Sequence, residues 1–301
     1  MSSSLPEGHS SRSVTPDDAP AVNELVRSAD EAVMGWSDST EADLVDWWRE
    51  VDLECDSWVV DDDAIAAYGV LYPHGETADL DCYVHPSQKG VGLGSWLLAG
   101  GEARARERGL QKAHAWALAP DHDARRLFEL RGFREVRRYY RMLIELDGPP
   151  QPAEWPEGFH VDTFKREDAR AFHAALTEAF AEEWNWVPMP FERWLELRVN
   201  APDAEPSLWF IVREGNQIAA VLRGDAHRFG AGWVGAIGVR KPWRKRGLAL
   251  LHHAFGEFYR RGQPRVALGV DAQNPTGATR LYERAGMHVA YEAIAFEKVL
   301  A

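Results

Sequence analysis

Alternation of apolar and polar positions divides the chain into segments that occur twice in the same order. Thr15-Pro16-Asp17-Asp18 offers an N-cap, a proline at the first helical position and then acids, so a helix is predicted to start there. A second amphipathic stretch follows in each half, ending at DWWRE (46–50) and at FERWLEL (191–197). Period-two runs come next. SWVV and AIAAYGVLY are split by DDD, while LWFIVR and QIAAVLRG are split by EGN, and each pair reads as a hairpin. A further strand, ADLDCYV or WVGAIGV, leads through a glycine-bearing loop into a helix that stops near Gly109 or Gly262, where glycine suits a C-cap. A strand (KAHAWALA, RVALGVDA), a helix and a last strand (REVRRYYRMLIEL, HVAYEAIAFEKVL) close each half. The pattern predicts an α+β fold, a mixed sheet with helices on both faces, made twice.

The letters repeat as well as the pattern. RLFELRGF (126–133) returns as RLYERAGM (280–287), DAPA (18–21) as DARA (168–171), and IAA (65–67) at 218–220. Gly92-Leu93 is matched by Gly247-Leu248 and Phe128 by Tyr282, all in order and near half the chain length apart. An ordered series of this kind points to a duplicated domain. LDGPPQPAEWPEG (146–158) is crowded with proline and glycine and lacks periodicity. The expected division is an N-terminal domain over 1–146, a linker over 147–157 and a C-terminal domain over 158–301.

Charge and composition narrow the chemistry. A formal charge of −13 argues against nucleic-acid binding, which needs a basic face, and favours attraction of cationic small molecules. Two cysteines, Cys55 and Cys82, show no CxxC, and His252 and His253 are adjacent on a helix without ligand spacing, so no metal is expected. No apolar run approaches the roughly 20 residues of a membrane helix, and no secretory h-region is visible. A cytoplasmic protein without membrane contact, monomeric or weakly homodimeric, is the expectation.

The two strand-to-helix loops differ in content. VHPSQKGVGLGSW and VRKPWRKRGLALL both place small residues where backbone N–H groups and a helix dipole can converge on an anion. Gly90, Gly92 and Gly94 do not give the dinucleotide fingerprint, and neither loop is a Walker A sequence. Arg240, Lys241, Arg244, Lys245 and Arg246 put five cations into seven residues of the second loop, against Lys89 alone in the first. The motif Q/R-x-x-G-x-G/A is matched by Arg244-Lys245-Arg246-Gly247-Leu248-Ala249, and less closely by Lys89-Gly90-Val91-Gly92-Leu93-Gly94. In this the chain resembles the GNAT acyltransferases over nearly its whole length, as a tandem protein similar in layout to the mycothiol synthases.

That resemblance implies acetyl-CoA as cofactor, with the loop amides on its pyrophosphate. It also implies that the preceding strand end, Ile237 to Val239 (Val84 in the first half), pairs with the pantetheine. Asn274 would contact the cofactor and Tyr282 would protonate the departing thiolate; a phenol with an ordinary pKa near 10 is protonated at neutral pH and able to do so. The first half carries Pro120 and Phe128 at those positions, so it is expected to be a degenerate copy and the second half the catalytic one. The family often places a Glu on the strand before the loop. WVGAIGV has none, with Trp233 near that position, whereas the first half keeps Asp81.

An acceptor would enter near AFAEEWNWVPMPFERW (179–194). Glu182 and Glu183 are candidates to hold an ammonium and Trp184 and Trp186 to offer aromatic faces, although a solvated turn with packing tryptophans fits the same letters. The expected activity is direct acetyl transfer, in a ternary complex, from acetyl-CoA to a primary amine of a small cationic molecule. The alternative is a non-catalytic acyl-CoA sensor or scaffold.

Overall fold

The computed structural model describes residues 4–62, 64–244 and 247–300. Among them the first half contains strands β1 (Ser10–Arg12), β2 (Ser57–Asp62), β3 (Ala64–His74), β4 (Thr77–Val84), β5 (Lys112–Leu118) and β6 (Arg134–Glu145). Its helices are α1 (Ala19–Met34), α2 (Glu41–Trp48), α3 (Leu53–Asp56), α4 (Leu93–Glu107) and α5 (His122–Leu130). The second half contains β7 (Phe159–Thr163), β8 (Phe210–Glu214), β9 (Gln217–Arg228), β10 (Ala231–Val239), β11 (Arg265–Asp271) and β12 (His288–Val299). Its helices are α6 (Ala169–Phe180), α7 (Phe191–Trp194), α8 (Gly247–Arg260) and α9 (Ala278–Arg284). Thr15 caps as expected, its backbone N–H and hydroxyl both donating to Asp18, but over a short 3₁₀ turn, Pro16–Asp18, before α1.

The compact units do not follow the chain linearly. One unit comprises residues 1–138 and 292–301, the other 139–291. The reason lies in the closing strands. Tyr139–Glu145 of β6 pairs antiparallel with β11, from Tyr139↔Asp271 to Glu145↔Arg265. Ala293–Val299 of β12 pairs antiparallel with β5. Each unit therefore takes its last strand from the other half of the sequence, which a boundary drawn at the proline-rich linker does not express. The first unit runs β1-β2-β3-β4-β5-β12 and the second β6-β11-β10-β9-β8-β7.

Side chains lock the exchange in the first unit. Glu102 on α4, 4% exposed, accepts from Lys298 at 2.7 Å and Arg131 at 3.1 Å. Glu297 accepts from Lys112 at 3.0 Å. Helices cover both faces of this sheet: Leu98, Ala105 and Phe128 pack with Leu80 and Phe296 in one cluster, and Val22, Leu25 and Trp48 with Val59 and Val70 in another. In the second unit Phe255 and Phe258 of α8, Phe172 of α6 and Trp209 belong to one large core.

Candidate active site

Two parallel strands stand at the centre of each unit and part company towards their C-terminal ends. In the second unit β10 pairs with β11 at Gly232 and Trp233, whereas its pairing with β9 continues to Val239. In the first, β4 pairs with β5 from Thr77 to Leu80 and with β3 up to Val84. The result is a wedge in each unit, with a strand edge along one wall. In the second unit that edge is Ile237–Val239, and alternate residues along it turn N–H and C=O groups into the wedge, where an extended amide chain can pair with them.

At the head of the wedge, β10 passes through a 3₁₀ turn, Lys241–Trp243, to α8. Lys245 and Arg246 lie outside the described residues. Gly247 is required by packing, since a Cβ there would meet Leu281 of α9 at 2.9 Å. In the first unit the residue so placed is Gly94, whose Cβ would meet Leu127 of α5 at 2.9 Å. The structural counterpart of Gly247 is thus Gly94 rather than Gly92, and the first loop is two residues longer between strand end and this glycine. Gly90 (φ +85°) and Gly92 (φ +105°) occupy that extra length in left-handed conformations that favour glycine. Counting glycines in the sequence could not see the length difference; the shared leucine contact reveals it.

The described cations of the second loop, Arg240, Lys241 and Arg244, are engaged. Arg240 donates to Glu178 at 2.8 Å and to the Ile218 carbonyl at 2.9 Å. Lys241 at 2.7 Å and Arg244 both pair with Glu182, holding its carboxyl at about 2, well below the ordinary range. Lys89 in the first loop is 3.9 Å from Asp121.

Tyr282 on α9 is 7% exposed. Burial, and then the nearby negative charge of Glu183, push its phenol above the ordinary value of 10.0, so it is a proton donor throughout the neutral range. Its counterpart Phe128 is a packing residue, with ring centroids 5.4 Å from Phe296 and 6.1 Å from Phe133. Asn274 sits in the turn after β11. Its Oδ1 accepts from the Thr276 N–H at 2.8 Å, which orients the amide so that Nδ2 donates to Glu183 at 2.7 Å. At Pro120 no side-chain amide exists, and Asp121 instead caps α5 by accepting from the Ala124 N–H at 2.9 Å.

The segment between α6 and α7 separates its two acids. Glu182 is bound to the loop cations, and Glu183, half-buried, reaches Asn274 beside Tyr282. Burial raises the Glu183 carboxyl above its ordinary value, the Asn274 hydrogen bond opposes this, and Asp271 adds to the rise. Trp184 faces Tyr139 with centroids 6.5 Å apart, while Trp186 packs on Phe180 at 5.1 Å. Asn185 supplies the left-handed residue (φ 55°) that bends the segment.

Several residues on this face escaped sequence reasoning. Counted back from the matched strand ends, Val84 opposite Ala67 and Val239 opposite Ala220, the counterpart of Asp81 is Ala236, and at the neighbouring Gly235 a Cβ would meet the Arg223 guanidinium, with Asp225 at 3.0 Å. Arg223 and Asp225 pair at 3.1 Å. Arg141 lies over Phe229 (4.1 Å) and Trp233 (4.5 Å) and donates to the Tyr291 hydroxyl at 2.9 and 3.0 Å. Tyr139 and Arg141 alternate with apolar residues in YYRMLI, a signal legible in the sequence. It was assigned to the first half because the strand exchange is not.

The first unit keeps a strand acid but has Phe128 where the second has Tyr282. Asp81 is raised to about 7, chiefly by burial and then by Asp30, against a hydrogen bond from Tyr83. Asp30 is itself raised to about 6 by burial, although Ser37 donates to it at 2.7 Å.

This geometry matches known proteins. A profile described as the acetyltransferase (GNAT) family matches residues 20–133 and again 169–287. The chain belongs to the GNAT acetyltransferase family. It is an acyl-CoA-dependent N-acetyltransferase built from two tandem GNAT regions. Among its relatives, the mycothiol acetyltransferase of Thermobispora bispora is 30% identical over 75% of this chain and 77% of its own length. That of Renibacterium salmoninarum is 27% identical over 74% and 69%. The crystal structure of a GCN5-related N-acetyltransferase from Sphaerobacter thermophilus superposes with a TM-score of 0.87 at 37% identity, covering 99% of this chain and 97% of that one. A tandem GNAT protein from the clavulanic acid biosynthesis pathway shares the fold, with a TM-score of 0.73 at 16% identity. The family uses acetyl-CoA. Among the described residues no group of His, Cys, Asp and Glu is placed to hold a metal, and no helix is long and apolar enough to cross a membrane.

Proposed function

We propose that the second unit acetylates the primary amine of a small molecule by direct transfer in a ternary complex, with Tyr282 as the proton donor to the leaving sulfur. The observation that carries this reading is the pairing of a buried, firmly protonated phenol with the Asn274–Glu183 contact beside it, where the first unit has Phe128 and Pro120. Acetyl-CoA supplies an activated acyl carbon, at which the amine nitrogen bonds as the carbon–sulfur bond breaks. Backbone along Ile237–Val239 orients the extended chain and polarises the carbonyl, a contribution that rests on positioning. Arg244, Gly247, Leu248 and Ala249, with Lys245 and Arg246, form the loop proposed to receive the phosphates. Lys241 and Arg244 each carry more N–H donors than the pairing with Glu182 uses, so they can face phosphates while still holding that carboxylate. In the first unit Val84, Lys89, Gly90, Gly92 and Gly94 form the corresponding loop, proposed to bind acyl-CoA weakly or only to complete the fold.

The acceptor is proposed to lie on the face carrying Glu183, Trp184, Tyr139 and the Arg141 box. Trp186, packed on Phe180, is a supporting residue there. A second reading is favoured by the relatives: a mycothiol-type amine, given the identity shared over three-quarters of the chain. Release of free thiol from acetyl-CoA against an amine library, including the mycothiol precursor, tests both. Turnover with some amine, abolished in Tyr282→Phe and kept in Phe128→Tyr, is expected. Absence of thiol release with every amine would refute the reading.

A further inference from the structure

The strand that commonly carries the base in this fold has no acid in the second unit, where β10 reads AGWVGAIGV and Ala236 stands opposite Arg223. An alkylammonium acceptor must nevertheless lose a proton before its nitrogen can attack. The two adjacent acids of the α6–α7 segment have been separated by the fold into different jobs. Glu182 is exposed and tied to Lys241 and Arg244 at the strand end, which anchors the segment. Glu183, next in sequence, turns inward and accepts from Asn274 at 2.7 Å, and its charge bears on Tyr282. Asn274 cannot turn away, because its Oδ1 accepts from both the N–H and the hydroxyl of Thr276.

Resting on the function proposed above, we infer that Glu183 is the general base of the acetyl transfer, held by Asn274, and that Glu182 is the positioning residue that sets the segment carrying it. The step balances. The Glu183 carboxylate takes one proton from the ammonium, the freed nitrogen pair forms the N–C bond, and the carbon–sulfur bond breaks. The sulfur takes the Tyr282 proton, the nitrogen's second proton passes to the resulting phenolate and restores it, and Glu183 releases its proton to solvent, so that amide, free thiol and one proton result. The charged and titratable groups around Glu183 are Asp271 at the end of β11, Tyr282 on α9 and the neighbouring Glu182 with its two cations. Asp271, 5% exposed, accepts from the Gln273 N–H at 2.8 Å and is occupied in shaping the turn. A half-buried carboxylate whose affinity for protons is raised is a better base than a solvated one, and stays ionised at neutral pH if the rise is moderate.

The test separates this inference from the parent reading. Take an amine that wild type acetylates and compare Glu183→Gln from about pH 7 to about pH 10, where alkylamines become neutral unaided. The expected kcat/KM falls roughly a hundredfold at the lower pH, and the deficit closes to within about threefold at the upper. A deficit equal at every pH, as a merely structural role would give, overturns the inference, as does no deficit. Carboxyl NMR of ¹³C-labelled free protein gives a readout independent of turnover. Glu183 should titrate above the ordinary 4.5, and higher still in Asn274→Ala, which loses the opposing hydrogen bond. Titration at or below 4.5 overturns it. Glu182→Gln should raise the KM for the amine and leave the pH at which the Glu183 limb appears unchanged to within a few tenths; a moved limb refutes the division of labour. Failure of wild type to release thiol with any amine would instead sink the parent proposal.

Discussion

The two units spend equivalent positions differently. Phe128 and Tyr282 lie on matching short helices and are both buried, yet one closes an aromatic cluster and the other keeps a phenol beside a carboxylate. The first unit carries its acids on the sheet and first helix, as Asp81 and Asp30, where burial chiefly raises them to about 7 and about 6 and Asp30 adds to the rise of Asp81. The second unit has no acid on β10, with Ala236 as the counterpart of Asp81, and brings Glu183 in from a loop. An acid held 2.7 Å from an oriented amide, with a phenol close by, is a constellation. A duplicated fold thus keeps its architecture by packing while the polar groups at matching positions differ.

The largest test of this comparison concerns the exchange that makes both units possible. Removing residues 292–300 strips β5 of its partner strand and Glu102 of Lys298. Hydrogen exchange should show protection lost throughout the first unit, because β5 is left paired on one edge only and buried Glu102 loses one of its cationic partners. Protection surviving in α4 and β5 would mean that the unit does not need the exchange. Next in size, Tyr282→Phe should lower kcat about a hundredfold with little change in the KM for acetyl-CoA, whereas Phe128→Tyr changes neither beyond about twofold. Equal losses from the two would erase the assignment of chemistry to one unit.

Smaller effects come from pH. Because the folded state raises Asp81 from 3.8 to about 7, it holds that proton more tightly than the unfolded chain across this window. Stability is therefore highest at the acid end, falls as pH rises, and reaches its minimum contribution above about 7. Asp81→Asn should then stabilise the protein by roughly 1–3 kcal/mol at about pH 8, seen as a raised denaturant midpoint. A midpoint unchanged there would show the acid to be harmless. His114, 1% exposed, gives the mildest effect. Burial works against its protonation, but Asp79 and Glu297, each at 3.2 Å, more than offset this and raise it above 6.5. Its stabilisation is complete below 6.5 and lost as pH climbs through the raised value. The melting difference between wild type and His114→Gln should accordingly shrink with rising pH, by less than about 1 kcal/mol in all.

What the sequence by itself determined is the periodic pattern, and with it most of the fold. Alternating runs such as AIAAYGVLY and QIAAVLRG became β3 and β9, glycines at 109 and 262 follow α4 and α8, and the repeated RLFELRGF and RLYERAGM became matched helices. These signals are local, because strand and helix periods are written into neighbouring residues. Tyr282 was legible for the same reason, as a polar letter within a repeat. Tertiary structure alone decided which strand closes which unit, since pairing of β6 with β11 joins residues more than a hundred positions apart and leaves no local mark. It alone showed Gly94, through Leu127, to be the counterpart of Gly247. It also divided the adjacent pair Glu182 and Glu183, which read identically as letters. One carboxylate faces solvent and two cations, the other faces an amide and a phenol, and that direction is set by the turn carrying them rather than by the residue type.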